Sequence, residues 1–280
     1  MDEPLYCYRH PSRETRVTCS ECGRPICEDC MNFAPVGIRC PDHASVGAPR
    51  SSAGRTVRQA RARVGSAGSP ATVVLVVVNV LVYLVTIAQG GGVGQPGGRV
   101  FLDGALVGFK VADGEWYRLV TAMFLHASLI HLLFNMLALW WLGSVVEQAL
   151  GTWRFLLVYF ASGIAGSAGA LLMSSEFAVT VGASGAIYGI LGALLILEWL
   201  QTGTLAGPAL TLIVVNLALT FAIPNISIGG HIGGLAGGVA STYILAQTRF
   251  SRSAVLGPAL VALVGVASVV LAYWRVSGYA

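Results

Sequence analysis

The sequence predicts an all-α, polytopic membrane protein with a small cysteine-rich unit at its front. Three observations predict it. Hydrophobic residues make up 55% of the 280 and charged residues only 11%, about half the charge of an ordinary soluble domain, and the mean hydropathy is +0.72. Apolar stretches recur from residue 71 onward, each close to the roughly 20 residues a helix needs to cross a bilayer. All 6 cysteines fall before residue 41, apart from those stretches. The net charge of +4 is modest and unevenly placed, so it reports membrane orientation rather than a nucleic-acid partner. The opening M-D-E-P-L-Y-C has no basic region followed by an apolar run, so no cleavable signal peptide is expected.

Residues 1–45 hold four candidate ligand pairs, Cys7/His10, Cys19/Cys22, Cys27/Cys30 and Cys40/His43, each with two residues between its members. That spacing lets both side chains of a tight turn reach one tetrahedral ion, and eight ligands make two zinc sites. Two histidines in register with the cysteines argue against disulfides. No ligand position is left for water, so the metal would be structural, and so small a unit should depend on it to fold. The pattern resembles the B-box and related cross-braced zinc folds. The resemblance implies that Cys7, His10, Cys27 and Cys30 share one ion and that Cys19, Cys22, Cys40 and His43 share the other. On spacing alone, sequential pairing stays open. The use expected of such a unit is contact with a cytoplasmic protein partner, or regulation.

Residues 46–70 are rich in Gly, Ser, Ala and Arg and read as a flexible linker. Arg50, Arg55, Arg58, Arg61 and Arg63 lie just before the first apolar segment, which puts the N-terminal side in the cytoplasm. The membrane domain, 71–280, then carries seven segments, approximately Ala71–Ala88, Leu119–Leu142, Phe155–Met173, Thr180–Leu200, Pro208–Ile223, Gly230–Ala246 and Ala254–Trp274. Arg154, Arg249 and Arg252 fall in loops that this count makes cytoplasmic, and the C-terminus would lie outside. Trp116, Tyr117 and Tyr159 suit interface positions.

The parity carries a chemical consequence. Segments two, four and six start at the outer face, so His126, His131, Asn135, Ser184 and His231 all fall in the outer half of the membrane. A buried serine alone is ordinary packing material, but an imidazole in hydrocarbon is costly and generally does chemistry. Brought together, Ser184 and His231 would make a nucleophile and its base. Gly185 and Gly189 in segment four, and the rows Gly229/Gly233/Gly237 and Gly230/Gly234/Gly238 in segment six, permit the close backbone approach this requires. His131 and Asn135, four apart, share one helix face and suit hydrogen bonding to an oxyanion. On a regular helix His126 would stand about 140° round from His131, which argues against a third, catalytic metal.

Several motifs together resemble the rhomboid intramembrane serine proteases: W-Y-R at Trp116–Arg118, H-A-S-L-I-H-L-L-F-N-M at His126–Met136, E-Q-A-L-G at Glu147–Gly151, G-A-S-G at Gly182–Gly185 with Tyr188, and H-I-G-G-L-A-G-G at His231–Gly238. The resemblance implies a rhomboid-like six-helix bundle with a seventh, C-terminal transmembrane helix. It implies Ser184 as nucleophile, His231 as general base, and an oxyanion hole from the Ser184 N–H with the His131 and Asn135 side chains. Tyr188 would pack against His231, with His126 and Gly182 supporting the site and Arg118 and Glu147 structural. No carboxylate in segments four or six is placed to orient His231: Glu198 stands about 21 Å along its helix from Ser184. G-A-S-G-A also fits the G-x-S-x-G elbow of the α/β-hydrolases, but its flanks are membrane helices rather than a strand and a sheet.

The activity implied is hydrolysis of peptide bonds in or near transmembrane segments of single-span proteins. It would use no cofactor in catalysis and a polar cavity open to the outer side. The expected absence of a signal peptide and the expected cytoplasmic zinc unit suit a bacterial plasma membrane, and an organelle membrane would read similarly. Two other readings compete. A proteolytically inactive rhomboid-like protein would bind membrane clients, but such relatives lack Ser184 or His231. A membrane-anchored zinc adaptor needs one span, not seven.

Overall fold

The computed structural model describes residues 5–33, 37–43, 68–90, 92, 94, 96–251 and 253–279. The chain divides into two compact units, Met1–Gly65 and Ser66–Ala280. Most of the predicted linker, including Arg50, Arg55, Arg58, Arg61 and Arg63, lies outside the described residues, as does Arg252.

The first unit is built from turns and two small antiparallel pairs. β1 (Leu5–Cys7) pairs with β2 (His10–Thr15), and β3 (Asn32–Phe33) with β4 (Ile38–Arg39). Among the described residues, its buried apolar ones are five cysteines and Ile26. Thr15 holds the two ends together, its hydroxyl donating to the Ile26 carbonyl at 2.7 Å.

The second unit is helical. Its long helices are α1 (Pro70–Ala88), α5 (Leu129–Leu150, with a π turn at Leu139–Gly143), α6 (Thr152–Met173), α7 (Ser184–Thr202), α8 (Pro208–Ala222), α9 (Ile228–Gln247) and α10 (Leu256–Val276). Between α1 and α5 run α2 (Gly98–Gly104), β5 (Leu106–Val107), α3 (Gly108–Ala112) and α4 (Arg118–Thr121). Among the described residues five helices, α1, α5, α6, α7 and α10, are long and apolar enough to cross a membrane. α8 is apolar but has 15 residues, and α9 has 20 residues but is diluted by glycine. In α6, 61% of the apolar window is buried, against 22% in α10. α6 is therefore an inner helix of the bundle and α10 a peripheral one.

One predicted segment is corrected. The second was placed at Leu119–Leu142, but the chain there breaks after α4 into a 3-10 turn (Ala122–Phe124) and an extended stretch before α5 begins at Leu129. Ser128 causes the restart. As N-cap residue it accepts the His131 N–H on its Oγ at 3.2 Å, satisfying one of the donors that a new helix leaves open. His126 is thus on the lead-in rather than on the helix, and the angular argument about it and His131 does not apply. Tyr159, expected at an interface, is instead fully buried between Phe155 and Phe160.

Buried polar side chains tie the bundle ends. Glu147 accepts from the N–H groups of Ala71 and Thr72 (3.0 and 2.8 Å) and from the hydroxyls of Thr72 and Thr152 (2.8 and 2.9 Å), so it caps the start of α1. Arg118, 3% exposed, donates to the carbonyls of Leu102 and Ala105 and to Glu115, pinning α2 and β5 beside α4. Glu198 accepts the Ala209 N–H at 2.8 Å and so caps α8.

The glycine rows of α9 serve two neighbours. Gly229 and Gly233 lie against the backbone of Gly169 and Ala165 on α6, and Gly234 and Gly238 against that of Gly185 and Gly189 on α7. A methyl group at Gly234 would overlap the Gly185 carbonyl oxygen, which is backbone and cannot swing aside. Gly234→Ala is therefore expected to destabilise the bundle by about 2–4 kcal/mol, read as a lower unfolding midpoint in detergent, with loss of function because Gly185 adjoins Ser184. On α10, a methyl at Gly265 meets nothing within 4 Å. Gly265→Ala should leave the midpoint unchanged or slightly raised.

Candidate active site and metal centres

Three segments converge on Ser184. The strand-like approach is held by β5, which pairs with β6 (Val179–Thr180) in the register Leu106↔Thr180 and Val107↔Val179. Gly182 then donates its N–H to the Ala122 carbonyl at 2.9 Å. At φ +130° Gly182 adopts backbone that other residues rarely reach, and a Cβ there would lie 2.8 Å from His131 Cε1. Glycine is thus required twice, by conformation and by space. The turn delivers Ser184 as the first residue of α7, where N–H groups have no partner within the helix.

His231 lies in the first turn of α9, which Ser227 caps by accepting the Gly230 N–H at 3.1 Å. Its Nε2 is 2.8 Å from Ser184 Oγ. Tyr188, one turn below Ser184, stacks on the imidazole with ring centroids 4.0 Å apart and planes 20° off parallel. A residue that sequence reasoning missed completes the cluster. Thr220, near the end of α8, has its Oγ1 at 2.7 Å from His231 Nδ1, 2.6 Å from the Tyr188 hydroxyl and 2.8 Å from the Asn216 carbonyl. Its only sequence signal is the Asn216/Thr220 spacing of four in an apolar helix, which is common and carries no chemistry by itself.

His131 and Asn135 stand on the first turns of α5. The Ala127 N–H donates to His131 Nδ1 at 3.3 Å, so the other nitrogen, Nε2, carries the ring proton. That nitrogen approaches Gly182, where a Cβ would lie 2.9 Å from it and 3.7 Å from Ser184 Oγ. Asn135 gives one amide proton to the His131 carbonyl at 2.8 Å and keeps the other. His126 is 1% exposed, with its ring edge-on to His131 at 5.1 Å and both ring nitrogens without a hydrogen-bond partner. Behind Ser184 a cavity of about 30 Å³, bordered by Met123, Ser167 and Gly182, has room for a single water. Glu198 caps α8 and takes no part in this cluster.

In the first unit the eight cysteine and histidine side chains gather into two groups in the cross-braced order: Cys7, His10, Cys27 and Cys30, and Cys19, Cys22, Cys40 and His43. Within each group the ligand atoms lie within 4.8 Å of one another. Four ligands at ordinary zinc distances form a tetrahedron with edges of about 3.6–3.8 Å. Here the separations are 3.3, 3.4 and 3.8 Å from His10 Nδ1 to the sulfurs of Cys27, Cys30 and Cys7. In the other group Cys22 and Cys40 are 3.8 Å apart, with Cys40 to His43 Nδ1 at 3.1 Å. Burial would raise the Cys7 thiol, but N–H groups of Cys27 and Arg9 outweigh it and lower it to about 6. Burial and the neighbouring Cys7 and Cys27 sulfurs push Cys30 up to about 11. Sulfurs packed so that ionising one hinders the next are a donor set suited to a dication.

Comparison with known proteins gives a consistent answer. A rhomboid domain model matches residues 113–248, which hold every residue of the serine–histidine cluster and none of the cysteines. The chain is 38% identical over 186 residues to the rhomboid protease GluP of Bacillus subtilis (strain 168), covering 65% of this chain and 36% of that protein. It is 37% identical over 146 residues to the putative rhomboid protease YdcA of the same organism, covering 51% of this chain and 73% of YdcA. Against RHOMBOID-like protein 5 of Arabidopsis thaliana it is 36% identical over 149 residues, 51% of this chain and 48% of that one. The chain thus spans about a third of the length of GluP and half that of the plant protein. With YdcA matched over most of its length, and with apolar helices of spanning length around a buried polar cluster, the chain is an integral membrane protein that belongs to the rhomboid family.

Proposed function

We propose that the protein is a serine-type intramembrane endopeptidase acting through a Ser184–His231 dyad. The observation that carries this reading is the 2.8 Å contact between Ser184 Oγ and His231 Nε2, made between two helices of a membrane bundle. The names of its relatives, rhomboid proteases in Bacillus subtilis, support it at the level of the family.

The chemistry follows from the geometry. Ser184 gives its proton to His231 Nε2 as its Oγ attacks the scissile carbonyl. The oxyanion that forms is met by the Ser184 N–H, the Nε2–H of His131 and the remaining amide proton of Asn135. His231 then returns the proton to the leaving amine, and a water, activated in the same way, hydrolyses the acyl-enzyme. The serine is regenerated and one peptide bond has become an acid and an amine. The substrate is a single-span membrane protein whose helix unwinds locally, because a helical carbonyl is already hydrogen-bonded. The arginines in 50–63 favour, by the positive-inside rule, a cytoplasmic N-terminus and with it a site in the outer half of what we take to be a bacterial plasma membrane. The first unit holds two structural zinc ions and offers a surface to a cytoplasmic protein.

Purified full-length protein in liposomes, given a panel of tagged single-span substrates, tests the reading. A fragment produced by the wild type and absent with Ser184→Ala is the expected result. Cleavage that survives Ser184→Ala would remove Ser184 from the mechanism.

A further inference from the structure

We propose that Thr220 is the positioning residue of the dyad. Its hydroxyl oxygen accepts the Nδ1 proton of His231 and so keeps the Nε2 lone pair facing Ser184. The catalytic consequence rests on the protease reading above, while the hydrogen-bond assignment does not.

The assignment comes from counting protons around one oxygen. Thr220 Oγ1 has three partners, the Asn216 carbonyl, the Tyr188 hydroxyl and His231 Nδ1, all within 2.8 Å. A hydroxyl supplies one proton and two lone pairs. The carbonyl can only accept, so three bonds form at once only when the Thr220 proton goes to Asn216 and both Tyr188 and His231 donate. In the reverse arrangement Thr220 donates to a bare Nδ1. That leaves two acceptor oxygens 2.8 Å apart without a proton between them, and it turns an Nε2–H toward Ser184, which is the unproductive tautomer. Full satisfaction and a competent base therefore coincide. The bond to Asn216, one turn back on α8, also fixes the Thr220 rotamer, so the lone pairs are aimed before the histidine arrives.

A neutral hydroxyl suits the location. Thr220 is 2% exposed and His231 7%, in a bundle where a carboxylate would be costly to hold ionised. Tyr188 and Thr220 then divide the task, the ring setting the tilt of the imidazole and the hydroxyl setting its tautomer. The arrangement also links the base to α8, whose buried residues are only Ala209, Ile213 and Thr220. Seating of that helix and readiness of the dyad are consequently coupled through one oxygen.

Thr220→Val, which replaces the hydroxyl by a methyl of nearly the same shape, and Thr220→Ser, which keeps it, separate positioning from packing. Thr220→Val should lower kcat by roughly ten- to a hundredfold, less than loss of a charged orienting group would cost, with KM close to wild type and the unfolding midpoint modestly lowered, because the Tyr188 and His231 donors lose their acceptor. Thr220→Ser should recover most of the rate. In protein carrying ¹⁵N-histidine, the His231 signal, identified by its loss in His231→Ala, should show the proton on Nδ1 in the wild type and a mixture of tautomers in Thr220→Val. Wild-type kcat in Thr220→Val, an Nε2-protonated His231 in the wild type, or equal loss of rate in Val and Ser variants with lowered midpoints would each overturn the proposal. If the wild type cleaves nothing and Ser184 takes up no fluorophosphonate, it is the protease reading that falls. The nitrogen spectrum then still decides the role of Thr220.

Discussion

Ser184→Ala is expected to reduce cleavage by roughly 10⁴-fold or more, His231→Ala to reduce it nearly as far, and the double substitution no further than the worse of the two. The expectation of non-additivity is the informative part. A nucleophile without its base and a base without its nucleophile both leave the same residual machinery, namely binding and oxyanion stabilisation. Two independent contributors would instead multiply their losses. Single-turnover cleavage of a reconstituted substrate by the four proteins makes the comparison, with fluorophosphonate labelling as a readout that needs no substrate. His231→Ala should slow labelling strongly, because the 2.8 Å partner of Ser184 Oγ is gone. Losses that multiply would mean that Ser184 and His231 act separately, despite their contact.

The contact between Ser184 and His231 was legible in the sequence because its parts are written as short motifs, and because the glycine rows announce how closely their helices approach. Those rows proved more specific than expected, since Gly229/Gly233 and Gly234/Gly238 address different helices. Hydropathy put the starts of segments four and six at Thr180 and Gly230, within a few residues of the helix starts at Ser184 and Ile228, but the break before Leu129 did not follow from it. His126 and Ser128 interrupt the apolar run through Leu125–Ile130 only singly, and what reveals the restart is the cap that Ser128 makes on the His131 N–H. Thr220 was illegible for a different reason. A threonine that bonds back to its own helix looks the same in sequence whether or not a histidine from another helix meets it. What identifies it is the meeting of α7, α8 and α9, a tertiary fact. Asn135 shows the same limit, since spacing placed it on the face of His131 without revealing that one amide proton is spent on the His131 carbonyl.

The second large effect concerns metal. The protein as purified should carry two zinc ions per chain, and a strong chelator should unfold the first unit while leaving Ser184 labelling intact. The reason lies in its core. Among the described residues of that unit, the buried apolar ones apart from Ile26 are Cys7, Cys19, Cys27, Cys30 and Cys40, so the residues that would form a hydrophobic core are the ligands themselves. Its strands contribute little, with β3 and β4 two residues each, and its ion pairs, such as Arg24 with Asp42, are exposed and weak. Zinc binding in sites of this kind supplies about 10–16 kcal/mol of folding free energy at neutral pH, more than so small a fold retains without it. Cross-bracing sharpens the prediction. Cys27→Ser should reduce the metal content to about one ion, yet expose amides in both halves to hydrogen exchange, because the two ligand groups alternate along the chain. Sequential sites would lose protection in one half only. Metal content by elemental analysis, with hydrogen exchange on the full chain, distinguishes these results. Retention of amide protection after complete removal of zinc would show that the unit folds on its few apolar contacts instead.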